Sequence, residues 1–318
     1  MSAFNPEIIE LSKKFAERIT TESCILEIHI LQPGFRKSVN SYAFLTANGN
    51  ALGIDSSAIK VSKDLLEKAD LKRLETHRSA FLKTLKGYSI PSYGLRVGNG
   101  QYLIPISAVD EISGLIQTFS KERELLLDEF ENSYQEMKDR AKIKLGGLYN
   151  PLDYPSFSEI RKKYKLVYKY ISNAIPEEFN RLSDNIRRYE VQRIRRVLQE
   201  DSKEIITAMR DTFVSIITNL SENLGRDQET GRLYTLSESK IKELLSFIEM
   251  FDQKNILNDK KLEELVVSAK EALAGIKIRE LKTNNEYREV LHSEMEKIKN
   301  SLEPIVTSSN RKIDLTSI

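Results

Sequence analysis

Hydrophobic positions recur along this chain with two periods, and the switches between them mark its elements. Asn5 is placed to cap, and Pro6 to open, a short helix whose apolar stripe is Ile8, Ile9, Phe15 and Ile19. Over residues 25–31 the period falls to two: Leu26, Ile28 and Ile30 face one way, Glu27 and His29 the other, as in a half-buried strand. Gly34, Asn40, Asn48, Gly49, Asn50 and Gly53 then punctuate a loop-rich stretch with room for a short strand at 42–45. A helix is expected from Ser62 toward Lys86, with Leu65, Leu66, Leu74, Phe81 and Leu85 on a broad apolar face. Next comes a β-hairpin near 88–106. Leu95 and Val97 alternate before Gly98-Asn99-Gly100, and Tyr102, Ile104 and Ile106 alternate after it.

From residue 107 the helical period dominates. Ser107 with Asp110 resembles a capping box, and Val109, Ile112, Ile116, Phe119, Leu126, Phe130, Tyr134, Met137 and Ala141 recur at three- and four-residue spacing until Gly146-Gly147. Ser156 with Glu159 opens a further helix carrying Ile160, Tyr164, Val167, Tyr168 and Ile171. Pro176 starts the longest helical stretch, reaching Leu224. In it Ile175, Phe179, Leu182, Ile186 and Tyr189 form a heptad-like, coiled-coil-like seam. Arg193 and Arg196 interrupt that seam before Ile194, Leu198, Ile205, Met209, Phe213, Ile216 and Leu220 resume it. Helices at about 236–252, 259–275 and 284–302 follow, with capping-box starts at Thr235/Glu238 and Thr283/Glu286, before a polar tail. The pattern predicts an α+β, predominantly helical protein. A mixed domain over 1–147 would carry the short strands and the hairpin, and an elongated domain of long antiparallel helices would occupy 148–318, divided at the Gly- and Pro-rich LGGLYNPLDYP.

Composition narrows the function classes. The chain has 318 residues, 30% of them charged, with a net charge of +2, so no overall field favours nucleic acid or membrane. No run of about eighteen apolar residues exists to span a bilayer, and the N-terminus lacks a signal-peptide core. A single cysteine, Cys24, suits a reducing, cytoplasmic setting and reads as a small buried hydrophobe. Phosphate-loop, nucleophile-elbow, H-E-x-x-H and paired C-x-x-C motifs are missing, and His29, His77 and His292 are too scattered for a metal site. Adjacent acid pairs such as Glu177-Glu178 and Glu263-Glu264 read as solvated helix faces. No catalytic, cofactor-binding or metal-binding residue is assigned, and no cofactor or small-molecule substrate is expected.

Local charge changes the picture. Residues 161–196 carry eleven basic against four acidic side chains, whereas 107–136 carry two against eight. The candidate interaction surface is Lys162, Lys163, Tyr164, Arg187, Arg188, Arg193, Arg195 and Arg196. Three uses are open: phosphate binding with Tyr164, Tyr168 and Tyr170 stacking on bases, attraction between subunits, or intramolecular pairing of the acidic and basic helices. The near-neutral total favours the last.

A family resemblance rests on Lys60 ahead of a helix, Gly87-Tyr88-Ser89-Ile90-Pro91, and a following helix with Phe119, Arg123, Phe130 and Tyr134. In these elements, over roughly residues 25–180, the chain resembles a family of bacterial and phage proteins of unknown function. Its members are often encoded beside a MoxR-type AAA+ ATPase and a von Willebrand factor A-domain protein. The resemblance implies a phage- or prophage-associated partner or client of such a remodelling machine. With it, the expected function is a non-enzymatic interaction and assembly protein that self-associates through long helices or docks to an AAA+ ATPase. A nucleic-acid-binding protein using 161–196 is the alternative.

Overall fold

The computed structural model describes residues 6–40, 60–91, 99–173, 181, 183–227, 229–275, 281 and 284–306. Helix α1 (Pro6–Phe15) and the short α2 (Arg18–Glu22) lead into strand β1 (Ser23–Leu31). Strands β2 (Arg36–Val39) and β3 (Val61–Asp64) precede α3 (Lys68–Tyr88), and β4 (Gln101–Pro105) precedes α4 (Val109–Leu145). After them come α5 (Phe157–Arg161), β5 (Lys165–Ser172), α6 (Asp184–Leu224), α7 (Glu238–Lys254), α8 (Lys260–Leu273) and α9 (Asn285–Leu302). The class is α+β with helices dominant, as the two periods predict.

Two sheets are present among the described residues. One has the order β4-β1-β5; the other pairs β2 with β3, antiparallel, from Arg36↔Asp64 to Val39↔Val61. β1 alternates as expected, burying Cys24, Leu26 and Ile28, and its antiparallel register with β4 runs from Ser23↔Pro105 to Glu27↔Gln101. The second arm of the anticipated hairpin therefore exists, paired to β1. Its first arm, with Leu95 and Val97, lies outside the described residues, as do the Asn5 cap, the strand at 42–45, Ile175 to Phe179, Leu182 and the polar tail.

Three expectations are corrected. The helix anticipated from Ser62 begins at Lys68, because Val61–Asp64 is a strand whose β-branched Val61 pairs opposite Val39. Leu65 and Leu66 are still buried, but as the connection rather than a helical face. After Ser156 the capping box forms with Glu159, yet the helix stops at Arg161, and KLVYKYIS is strand β5. Alternating Val, Tyr and Ile side chains favour the extended form over a helix. Finally, α4 is entered from a 3-10 turn over Ile106–Ala108, not from a Ser107 cap.

The chain divides into two compact units, each assembled from separated stretches. The first is Met1–Glu27, Leu85–Asp110 and Lys169–Ile318; the second is Ile28–Thr84 and Glu111–Tyr168. This differs from a division at 147/148. The chain beyond Gly146-Gly147 returns to the core it left: Phe157 packs edge-on to Phe130 and Tyr134, and the Tyr134 hydroxyl donates to the Pro155 carbonyl at 3.1 Å.

In the first unit the core joins Ile8 and Ile19 to Leu198, Ile205, Phe213, Ile217 and Leu220 of α6, Leu244 and Phe251 of α7, Leu262 of α8 and Met295 of α9. Burying such a side chain contributes about 1.5–3 kcal/mol. Arg210 is fully buried within it, donating from Nε and Nη2 to both Asp259 oxygens at 2.7 and 2.9 Å and from Nη1 to the Ile305 carbonyl at 2.6 Å. Asp259 also caps α8 by accepting from the Leu262 N–H. Burial by itself would lower the Arg210 pKa, but its pairings with Asp259 and Glu7 hold it above the ordinary value. Arg288 closes the C-terminal end of α6, donating to the carbonyls of Leu224, Asn223 and Tyr234. In the second unit the core is more aromatic, with Phe130, Tyr134, Phe157 and Ile160 around Leu66, Leu74 and Leu127.

Candidate functional site

Of the candidate surface residues, Arg187, Arg188, Arg193, Arg195 and Arg196 all lie in the first half of α6, in the first unit. Lys162, Lys163 and Tyr164 follow α5 in the second. The basic stretch is not one helix.

Tyr164 is withdrawn as a base-stacking residue. It is half-buried against the aromatic core, and burial pushes its phenol up to about 12. Arg161, beside it, pairs with Glu124, Asp128 and Glu131 of α4. Glu122 meets His77 Nε2 at 2.9 Å, and Glu129 pairs with Arg73. Intramolecular pairing of the acidic helix is thus real, but its partners are Arg73, His77 and Arg161 rather than a long basic helix. His77 is fixed further by stacking on Phe119, with ring centroids 4.6 Å apart.

The arginines of α6 are held differently. The buried side chains of this helix begin at Leu198, so its first fourteen residues, about 21 Å of helix at the usual rise, contribute none. Ile186 and Tyr189, read as a seam, are 54% and 66% exposed, and no buried seam passes through them. The stripe from Leu198 through Leu220 does form core, and Ile194 packs at its margin. Helix formation in the exposed part is supported instead by rigid continuation from the packed part and by ion pairs Arg187–Asp184 and Arg193–Glu190 at 2.8 Å, each worth only a few tenths of a kcal/mol.

Geometry adds two residues that the sequence pattern did not select. α1 packs along α6, and its last turn carries Lys13 and Lys14. With Glu17, Arg195 and Leu198 they line a groove of about 390 Å³. Arg195 reaches Glu17 only at 3.8 Å, both side chains being largely exposed. Lys13, Lys14, Arg188 and Arg196 have no carboxylate partner among the described residues. Arg188 and Arg195, seven residues apart, share one helix face, and Tyr189 and Arg196 share the next. Arg193 is one turn beyond Tyr189. Two adjacent faces of the exposed part of α6 thus carry cations, and the exposed Tyr189 ring lies on the second of them. The available signal was the basic last turn of the N-terminal helix, but nearly the whole chain separates it from α6.

No cluster of three or more His, Cys, Asp or Glu able to hold a metal ion occurs among the described residues. Cys24 is buried, and burial pushes its thiol up. A wider cleft of about 720 Å³ near the end of α6 is lined by Arg226, Tyr234, His292 and Glu296. Two of its charged groups are paired: Arg226 with Glu289, and Glu296 with Ser221 and Lys299, which hold its carboxyl low. No described helix is long and apolar enough to cross a membrane. Comparison with family models, with curated proteins and with solved structures returned no match to this chain.

Proposed function

We propose that this protein is a non-enzymatic, cytoplasmic interaction protein whose helical core holds out a basic arm, residues 184–197, to an anionic macromolecule. One observation carries the reading: the arm continues a well-packed helix but has no fully buried side chain, only Ile194 packing at the core margin, while the ion pairs of the arm among the described residues engage Arg187, Arg193 and Arg195 and not Arg188 or Arg196. Ordered cations without partners repel one another and gain most from an external polyanion. The test is retention of the full chain on immobilised heparin, compared with the double variant Arg188→Glu/Arg196→Glu. The native chain is expected to bind with strong salt dependence, and the variant to elute at much lower salt; equal elution would remove the reading.

A second reading is assembly with itself or with an AAA+ ATPase complex. It is supported by the resemblance over residues 25–180 and by the strong exposure of Ile143 (85%) and Leu152 (89%) in the second unit. Light scattering of the chain alone, and then with a purified MoxR-type ATPase, checks it. A monomer unchanged by the ATPase would count against it.

A further inference from the structure

We infer that the arm of α6, together with the lysines ending α1, binds single-stranded nucleic acid, with phosphates on Lys13, Lys14, Arg188, Arg195 and Arg196 and an unpaired base on Tyr189. The inference rests on the proposed arm and names its occupant.

Charge supply comes first. Lys13, Lys14 and Arg195 line one groove of the first unit, where Glu17 approaches Arg195 at 3.8 Å, and Arg188 and Arg196 are exposed on the same helix as Arg195. Glu122, Asp128 and Glu129 of the acidic helix are engaged within the second unit by His77, Arg161 and Arg73. Spacing comes second. Arg188 and Arg195 lie about 10 Å apart along the axis, so phosphates one or two nucleotides apart on a flexible strand can reach both, with the α1 lysines beside Arg195. The third point is Tyr189. A phosphate surface alone has no use for an exposed aromatic ring, yet this ring is 66% exposed and has Arg193 one turn on and Arg196 two turns on. Base stacking on such a ring is tolerant of sequence and requires an unpaired base, which favours a single strand over a duplex. The adjacent guanidinium groups add cation–π attraction to the base faces.

Fluorescence anisotropy of the full chain with a labelled oligothymidylate of about 20 nucleotides, titrated with salt, tests this. Arg188→Ala/Arg196→Ala is expected to weaken binding at least tenfold and to flatten the slope of log K against log salt by about 1.4, the value for two single-strand phosphate contacts. Lys13→Ala/Lys14→Ala should act in the same direction. Tyr189→Ala should weaken binding about tenfold with the slope unchanged, and Tyr189→Phe should retain it. These side chains are exposed, and circular dichroism of each variant checks that the helices persist. If heparin or an acidic polypeptide binds through the arm while the oligonucleotide does not, the inference is overturned and the arm keeps its proposed role. Binding of duplex as tightly as single strand, with no effect of Tyr189→Ala, also overturns it. If no polyanion responds to the arginines, both readings fall together.

Discussion

The two units of this chain draw on the same charge-rich composition and bury their polar groups in opposite ways. The first takes ions inside: Arg210 is fully buried with Asp259, Arg288 is spent on three carbonyls, and Lys254 is buried at the end of α7 with its amine pushed down to about 8 by desolvation. The second builds its interior from stacked and edge-on rings. Most of its ion pairs, such as Arg73–Glu129 and Arg161–Asp128, stay on the outside, with Asp153 between Lys37 and Lys63, and Arg123 over the Phe119 ring, as buried exceptions. The difference teaches where a charge matters. An enclosed ion pair is costly to break because the surviving partner stays buried and uncompensated, whereas an exposed pair contributes little.

Breaking the buried pair should have the largest effect. Arg210→Ala is expected to destabilise the first unit by about 3–5 kcal/mol, read by urea denaturation, since Asp259 would be left buried without its cationic partner. In the second unit an aromatic truncation should match it: Phe130→Ala is expected to cost about 3–5 kcal/mol. Hydrogen exchange followed by mass spectrometry should place each loss in its own unit.

Alkaline pH should separate the units by sign. Lys254 has a folded pKa of about 8, below its ordinary 10.5, so the unfolded chain binds more protons between those values and the first unit gains stability as pH rises from 8 to 10.5. Lys254→Met should therefore stabilise it by about 2–3 kcal/mol at pH 7, with the gain vanishing near pH 10.5. Tyr134 and Tyr164 have phenols pushed up by burial to about 12, so the stability they contribute is present below pH 10 and is lost as pH rises from 10 to 12. Amide protection in Ile28–Thr84 and Glu111–Tyr168 should fall over that range, after allowance for faster intrinsic exchange. Opposite assignments of the two alkaline effects would break the comparison. The smallest effect is expected from Arg73→Ala on the outer face of the second unit, less than about 1 kcal/mol and reduced further by salt.

Periodicity alone determined much of the architecture. The alternation of Leu26 and Ile28, the long stripe from Ile112 to Ala141, the three C-terminal helices and the Ser156–Glu159 capping box are local patterns, and the fold keeps each of them. Cys24 as a buried thiol was legible in the same way. Tertiary structure decided what local pattern cannot carry. Val61–Asp64 and Lys165–Ser172 became strands because extended pairing partners were available, although their apolar spacing also fits a helix. The 147/148 boundary dissolved because Phe157 returns to Phe130 and Tyr134. The candidate site was half legible: the α6 arginines stand out as a charge run, but Lys13 and Lys14 join them only through helix packing across distant sequence. Tyr189 and Ile186 follow the spacing of core residues and are exposed only because nothing described packs over them. Spacing tells which side chains share a face; what that face meets is set by chain stretches far away, and here the sequence determined the pattern while the fold decided that no described residue covers Ile186 and Tyr189.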